Sequence, residues 1–202
     1  MSSPTFAEAR RAAATELRHD VRIMSGIVLL LWAVLFVNTV FYHGSWNVLG
    51  IMPRTRAGLR GLMLAPFLHA GVAHLASNTV GFVLLGGMVL LRRETDFRVV
   101  TAFGIVLGGL GTWLFGRSVV HIGASGVIFA YLGYLLFTGF FERRLGAILL
   151  SVAVAVGWGS LVFGVLPRQP GISWEGHLFG LIAGVCAAWV LAARRRVTPA
   201  TR

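Results

Sequence analysis

The chain has 202 residues, 56% of them hydrophobic and 12% charged, with a mean hydropathy of +0.79. Soluble domains carry about a quarter charged residues, so this composition excludes a soluble globular protein and implies an all-α, polytopic membrane protein. The net charge of +11 arises with 18 arginines and no lysine; they gather beside apolar runs, without the basic stripe and interleaved aromatics of a nucleic-acid-binding surface, and so read as topology signals.

Residues 1–22 form a polar head. Ser3 is a candidate N-cap before Pro4, and Phe6, Ala13, Leu17 and Val21 follow at near-helical spacing. That pattern fits a helix lying on the membrane or extending the first span, with a solvated stub as the alternative. Six uncharged runs of about the length a bilayer core demands, roughly 17 to 25 residues, follow at Ile23–Tyr42, Val72–Leu91, Val99–Phe115, Ser118–Phe141, Leu145–Leu166 and Gly176–Ala193. The first has no signal-peptide cleavage pattern after it and reads as a span. Residues 23–193 thus make one six-helix membrane domain and residues 194–202 a basic tail. The single cysteine, Cys186, lies inside the last run, which excludes an intrachain disulfide and suits a small apolar role.

Thirteen arginines fall in the head, after the second and fourth spans, and in the tail, against five in the remaining loops. With six spans the four richer segments share one side, and the positive-inside rule makes that side, and both termini, cytoplasmic.

Spans two, four and six then run in the same direction, each with polar residues near its start. His74 precedes Arg92 by 18 positions, Ser125 precedes Glu142 by 17, and His177 precedes Arg194 by 17. At about 1.5 Å per residue these separations are about 26 Å, which in a core of roughly 30 Å sets all three residues at one level just below the outer surface. Asn78, one turn below His74, shares its helix face.

A serine hydroxyl becomes a nucleophile when a base takes its proton, and histidine does so near neutral pH. A tetrahedral oxyanion needs preorganised donors, for which the Ser125 backbone N–H, the His74 imidazole and the Asn78 amide are suitable. Ser125 at a helix start also gains unsatisfied N–H groups and the positive end of the helix dipole. Glu175 lies two residues before His177, on another helical face, so the set reads as a Ser125/His177 dyad. Gly176, Gly180 and Gly184 beside His177, with Gly123, Gly126 and Gly133 around Ser125, would let two helices approach closely. His69 and His121 read as interfacial or structural residues without a catalytic role, at loop edges where water can satisfy them. A metal or haem carrier using His69, His74, His121 and His177 is the weaker reading, because His69 and His74 diverge on a helix and no cysteine or carboxylate cluster completes a site.

Three segments, His69-Ala-Gly-Val-Ala-His74-Leu-Ala-Ser-Asn78, Gly123-Ala-Ser125-Gly126 and His177-Leu-Phe-Gly180, open or enter the second, fourth and sixth spans. In this order the chain resembles the rhomboid family of intramembrane serine proteases, from about Ile23 to Ala193. The resemblance implies Ser125 as nucleophile, His177 as general base, and His74 and Asn78 as oxyanion donors. It also implies cleavage of transmembrane or near-membrane segments of other proteins, without metal or cofactor, in the cell membrane of what reads as a bacterium. Two departures stand out. Phe129 replaces the tyrosine that many relatives stack on the histidine. The first external loop reads Pro53-Arg54 and Gly58-Leu59-Arg60-Gly61 where some bacterial relatives carry a Trp-Arg pair. The alternative from another class is a catalytically inactive rhomboid-like protein that holds client transmembrane segments. Residues 167–176, with two prolines and two glycines, form a candidate cover over the site.

Overall fold

The computed structural model describes residues 5–167 and 171–197. Among the described residues six helices are long and apolar enough to cross a membrane: α1 (Phe6–Tyr42), α2 (Val72–Arg92), α3 (Glu94–Phe115), α4 (Ser125–Glu142), α5 (Leu145–Val165) and α6 (Trp174–Val197). The chain is therefore a multi-pass, all-helical membrane protein; among the described residues the only extended pairing is an isolated antiparallel bridge, Ile51 with His121.

Helix α1 continues the head into the first span. Thr5 caps it, its hydroxyl accepting the Glu8 N–H while the Glu8 carboxylate accepts from the Thr5 backbone, a reciprocal capping box. The expected cap at Ser3 lies outside the described residues. Helix α4 begins at Ser125, seven residues later than its apolar run, because Gly123 takes φ +113° and the backbone of Ile51 pairs with that of His121. Helix α3 begins earlier than expected, at Glu94, whose side chain sits in the first turn with Asp96.

Helix α4 is the centre of the bundle: 61% of its apolar window is buried against 17% for α1 and 11% for α5. A helix apolar on all sides is covered on all sides, and Ala130, Tyr131, Leu132, Tyr134 and Leu135 are wholly buried there. Its closest neighbour is α6. A Cβ on Gly180 would stand 2.1 Å from the Gly126 carbonyl oxygen, one on Gly184 2.0 Å from that of Ala130, and one on Gly133 2.3 Å from that of Leu181. The two backbones thus touch, as the glycine spacing predicts. Helices α2 and α3 each carry a π-helical turn, Phe82–Gly86 and Gly104–Gly108, and Gly108 of the second lies against Gly180 of α6.

At the arginine-rich end, charges that the sequence presents as loop signals turn inward. Asp96 of α3 and Glu142 of α4 both bond Arg195 of α6; Glu142 also bonds Arg92 of α2, and Tyr134 donates to Asp96. Asp96 is 1% exposed. Four helices are therefore joined by one buried ionic cluster, in which each carboxylate has more than one donor. Removing one partner of such a cluster leaves an uncompensated charge. Asp96→Ala is expected to lower the unfolding free energy by about 3 kcal/mol, with Asp96→Asn milder, as measured by reversible denaturation in mixed micelles.

Candidate active site

The entry to α4 is built from three loop contacts. The Gly123 N–H donates to the Ala65 carbonyl at 2.8 Å, the Ala124 N–H donates to His69 Nε2 at 3.4 Å, and the Ala124 carbonyl accepts from Val127 and Ile128 as the helix begins. Ser125 then stands as the first helical residue, where backbone N–H groups have no partner within the helix.

Helix α6 brings His177 to the same place. The His177 ring stacks on Phe129 with centroids 4.1 Å apart and planes 7° from parallel, so the aromatic shelf survives the loss of a hydroxyl. His177 Nδ1–H donates to the Gly164 carbonyl at 3.0 Å. That bond selects the tautomer whose Nε2 lone pair is free to accept a proton. Ser125 Oγ makes no hydrogen bond among the described residues, so the serine and histidine share a cavity without being bonded to one another.

The cavity holds about 780 Å³ and is lined by His74, Asn78, Ser125, Phe129 and His177, among others. Asn78 is buried, and its Nδ2 has no hydrogen-bond partner among the described residues. An amide donor that faces a cavity and has no protein partner is available to a group bound there. A Cβ at Gly123 would stand 2.7 Å from His74 Nε2 and 3.3 Å from Asn78 Nδ2. The two side chains therefore flank the turn immediately before Ser125, with only a hydrogen atom of Gly123 between.

Ser125, His177, His74 and Asn78, chosen from the sequence, line one cavity. Glu175 makes no hydrogen bond to the His177 ring; its carboxylate is 1% exposed and bonded to Arg117. Of the two readings of His69 and His121, interfacial or structural, the structural one holds: they are 2% and 4% exposed and bonded within the protein. His69 supports Ala124, and its rim contacts His74, ring centroids 5.1 Å apart. Burial, with His74 nearby, pushes the His69 pKa down to about 4. His121 bonds Ser173 at 2.6 Å and the Arg117 carbonyl at 3.1 Å, and burial lowers its pKa too.

The loop between α1 and α2 also supports the site, which no motif in the sequence marks. Buried Asn38 donates to Asn47 Oδ1 at 3.1 Å and accepts the Trp46 N–H, while Asn47 reaches the His69 carbonyl at 3.4 Å. Arg54 bonds the Gly116 carbonyl at 2.8 Å and Ser118 Oγ at 2.9 Å. The asparagines offered the sequence signal, since polar side chains at the end of an apolar run need partners.

Residues 56–194 match the Rhomboid domain family. The chain belongs to the rhomboid family. It is 41% identical to an uncharacterized protein of Mycobacterium tuberculosis over 159 residues, 74% of this chain and 66% of that one, so it spans just under two thirds of that relative. An uncharacterized protein of Mycobacterium leprae is 36% identical over 203 residues, 93% of this chain and 80% of its own length. RHOMBOID-like protein 4 of Arabidopsis thaliana is 30% identical over 145 residues, 66% of this chain and 34% of that one. The rhomboid match covers α2 to α6 and hence every residue lining the cavity.

Gly123→Ala forces a methyl group onto His74 Nε2 at a backbone angle that costs about 1–3 kcal/mol for a side-chain-bearing residue; it should lower thermal stability and expel any group bound between His74 and Asn78, seen as lost reactivity of Ser125 toward a fluorophosphonate. His69 is held neutral in the fold, its pKa below the ordinary histidine value of 6.5. Its contribution is complete above pH 6.5 and is lost as pH falls toward 4, on the order of 2–3 kcal/mol. Unfolding midpoints between pH 7 and 4.5 should fall steeply for the unaltered chain and less steeply for His69→Gln, which keeps an acceptor for Ala124.

Proposed function

We propose that this rhomboid is an intramembrane serine endopeptidase that cleaves transmembrane or juxtamembrane segments of membrane proteins through a Ser125/His177 dyad. The observation that carries the reading is the convergence of a helix-start serine, a histidine with its Nε2 free and an unpaired buried amide on one cavity. In the reaction His177 Nε2 accepts the Ser125 hydroxyl proton as Oγ bonds to the substrate's carbonyl carbon. The Ser125 N–H, Asn78 Nδ2 and His74 face the developing oxyanion. His177 then passes its proton to the leaving amine, and water drawn from the outer side hydrolyses the acyl-enzyme. Both termini are cytoplasmic on the arginine distribution, and the membrane is the bacterial cell membrane. The partners are transmembrane substrates and lipid; the chemistry calls for no metal or cofactor.

The second reading, an inactive rhomboid that holds client helices, draws on the missing Ser125–His177 hydrogen bond. Unliganded catalytic pairs are often looser than hydrogen-bond distance and tighten with substrate, and the free Nε2 has no other role in a client-binding protein. Labelling by a fluorophosphonate in detergent and in lipid separates the two. The unaltered chain should label at a single serine and cut a model transmembrane substrate, while Ser125→Ala and His177→Ala, still folded, do neither. Full cleavage by folded Ser125→Ala would remove the mechanism.

Asn78 tests the oxyanion assignment. Asn78→Ala should reduce kcat by about tenfold to a thousandfold with a smaller effect on KM, because the donor acts mainly in the transition state. Unchanged turnover per folded molecule with a lower unfolding temperature would assign Asn78 to packing.

A further inference from the structure

The dyad residues sit on two helices whose starts are joined by a polar clip outside the cavity's reacting groups. Glu175, in the first turn of α6, accepts the Arg117 backbone N–H at 3.1 Å, its Nε–H at 2.6 Å and its Nη2–H at 3.2 Å. Arg117 Nη2 also donates to the Ile172 carbonyl at 2.8 Å. Arg117 begins the segment that runs into Gly123 and Ser125; Glu175 stands two residues before His177. Beside this pair His121 bonds Ser173 Oγ at 2.6 Å, and Ser173 in turn accepts the Gly176 N–H on its hydroxyl at 3.2 Å and the His177 N–H on its carbonyl at 3.1 Å. The segment before α4 is held on its other side by the paired backbones of Ile51 and His121.

Two features distinguish this clip from ordinary surface charge. The Glu175 carboxylate is 1% exposed while the Arg117 side chain is 46% exposed, so one ion is almost wholly desolvated. Such a pair is weak evidence of stability, since apolar side chains of similar size often serve as well or better. What the pair does supply is direction: three donors of Arg117 converge on one carboxylate, and that fixes the first turn of α6 in rotation as well as in height. The tightest glycine contacts between α4 and α6 lie deeper, at Gly126 with Gly180 and Ala130 with Gly184; at this end the helices meet more loosely, a Cβ on Gly126 standing 3.4 Å from the Gly176 carbonyl, and the clip adds directed bonds there.

We propose that Glu175 and Arg117 are positioning residues for His177, setting the reach of its Nε2 toward Ser125, with His121 and Ser173 as the second fastening. The proposal rests on the serine-protease reading. Neither residue touches the reacting atoms; each acts through the placement of the α6 start against the segment before α4.

The experiment uses the full chain in detergent and in lipid. It reads the rate of fluorophosphonate reaction at Ser125 and kcat and KM on a model transmembrane substrate, each per folded molecule as judged by thermal unfolding. Glu175→Ala and Arg117→Ala should each slow labelling and kcat by about tenfold to a hundredfold, the penalty of a small misplacement of catalytic groups, with KM changed by no more than about twofold. The double variant should be no slower than the slower single one, because both remove one unit. Glu175→Gln keeps an oxygen that accepts from Arg117 and should recover most of the rate. Alanine variants with unaltered rates per folded molecule would overturn the proposal, and so would Glu175→Gln as slow as Glu175→Ala, which would assign the effect to charge. Should Glu175→Ala fail to fold, Arg117→Ala and Ser173→Ala carry the same test. An unaltered chain that neither labels nor cleaves would overturn the protease reading itself, an outcome distinct from failure of the clip.

Discussion

Backbone contact between α4 and α6 is the constraint on which the remaining structure depends. Within lipid, hydrophobicity does not draw helices together, and association relies on close packing and hydrogen bonds. Gly126, Gly133, Gly180 and Gly184 remove the side chains that would hold these helices apart. Once they touch, α4 is enclosed by its neighbours, and the helices bearing Ser125 and His177 become the closest pair in the bundle. A site that needs a serine and a histidine from different helices is thereby given a rigid base.

The two ends of that pair are finished in different ways. At the arginine-rich end Asp96, Glu142, Arg92 and Arg195 neutralise one another among four helices. At the other end the chain is irregular, with short helical turns, the Ile51–His121 bridge and a left-handed-region glycine at 123. Non-helical backbone at membrane depth is tolerated where protein covers it or a polar cavity meets it, and both conditions hold here. His69 shows how tightly this end is organised: a buried imidazole accepts from the residue before Ser125 while its own carbonyl is held by Asn47.

The candidate site combines preorganised and unfilled elements. Phe129 and the Gly164 carbonyl fix the His177 ring in plane and tautomer, whereas Asn78 Nδ2 is left unsatisfied among the described residues. Fixed donors aimed into a cavity are what electrostatic stabilisation requires, since their orientation is set during folding and not at the moment of reaction.

Six spans and the gathering of Ser125, His177, His74 and Asn78 around one cavity were legible in the sequence by itself. Span length follows from bilayer thickness, and a helix rises by a constant amount per residue, so counting along the chain converts directly into depth. The α4–α6 contact was legible for a similar reason, because glycine at every fourth position places small residues on one face. Only the tertiary structure decided that residues 118–124 stay outside α4, that α1 absorbs the head, that Glu142 and Asp96 face inward, and that Arg117 reaches Glu175 from 58 residues away. Those features depend on loop backbone and on pairings between distant segments. A charged residue at the end of an apolar run looks the same in sequence whether it meets water or a buried partner, and only the packing of neighbouring helices chooses between them.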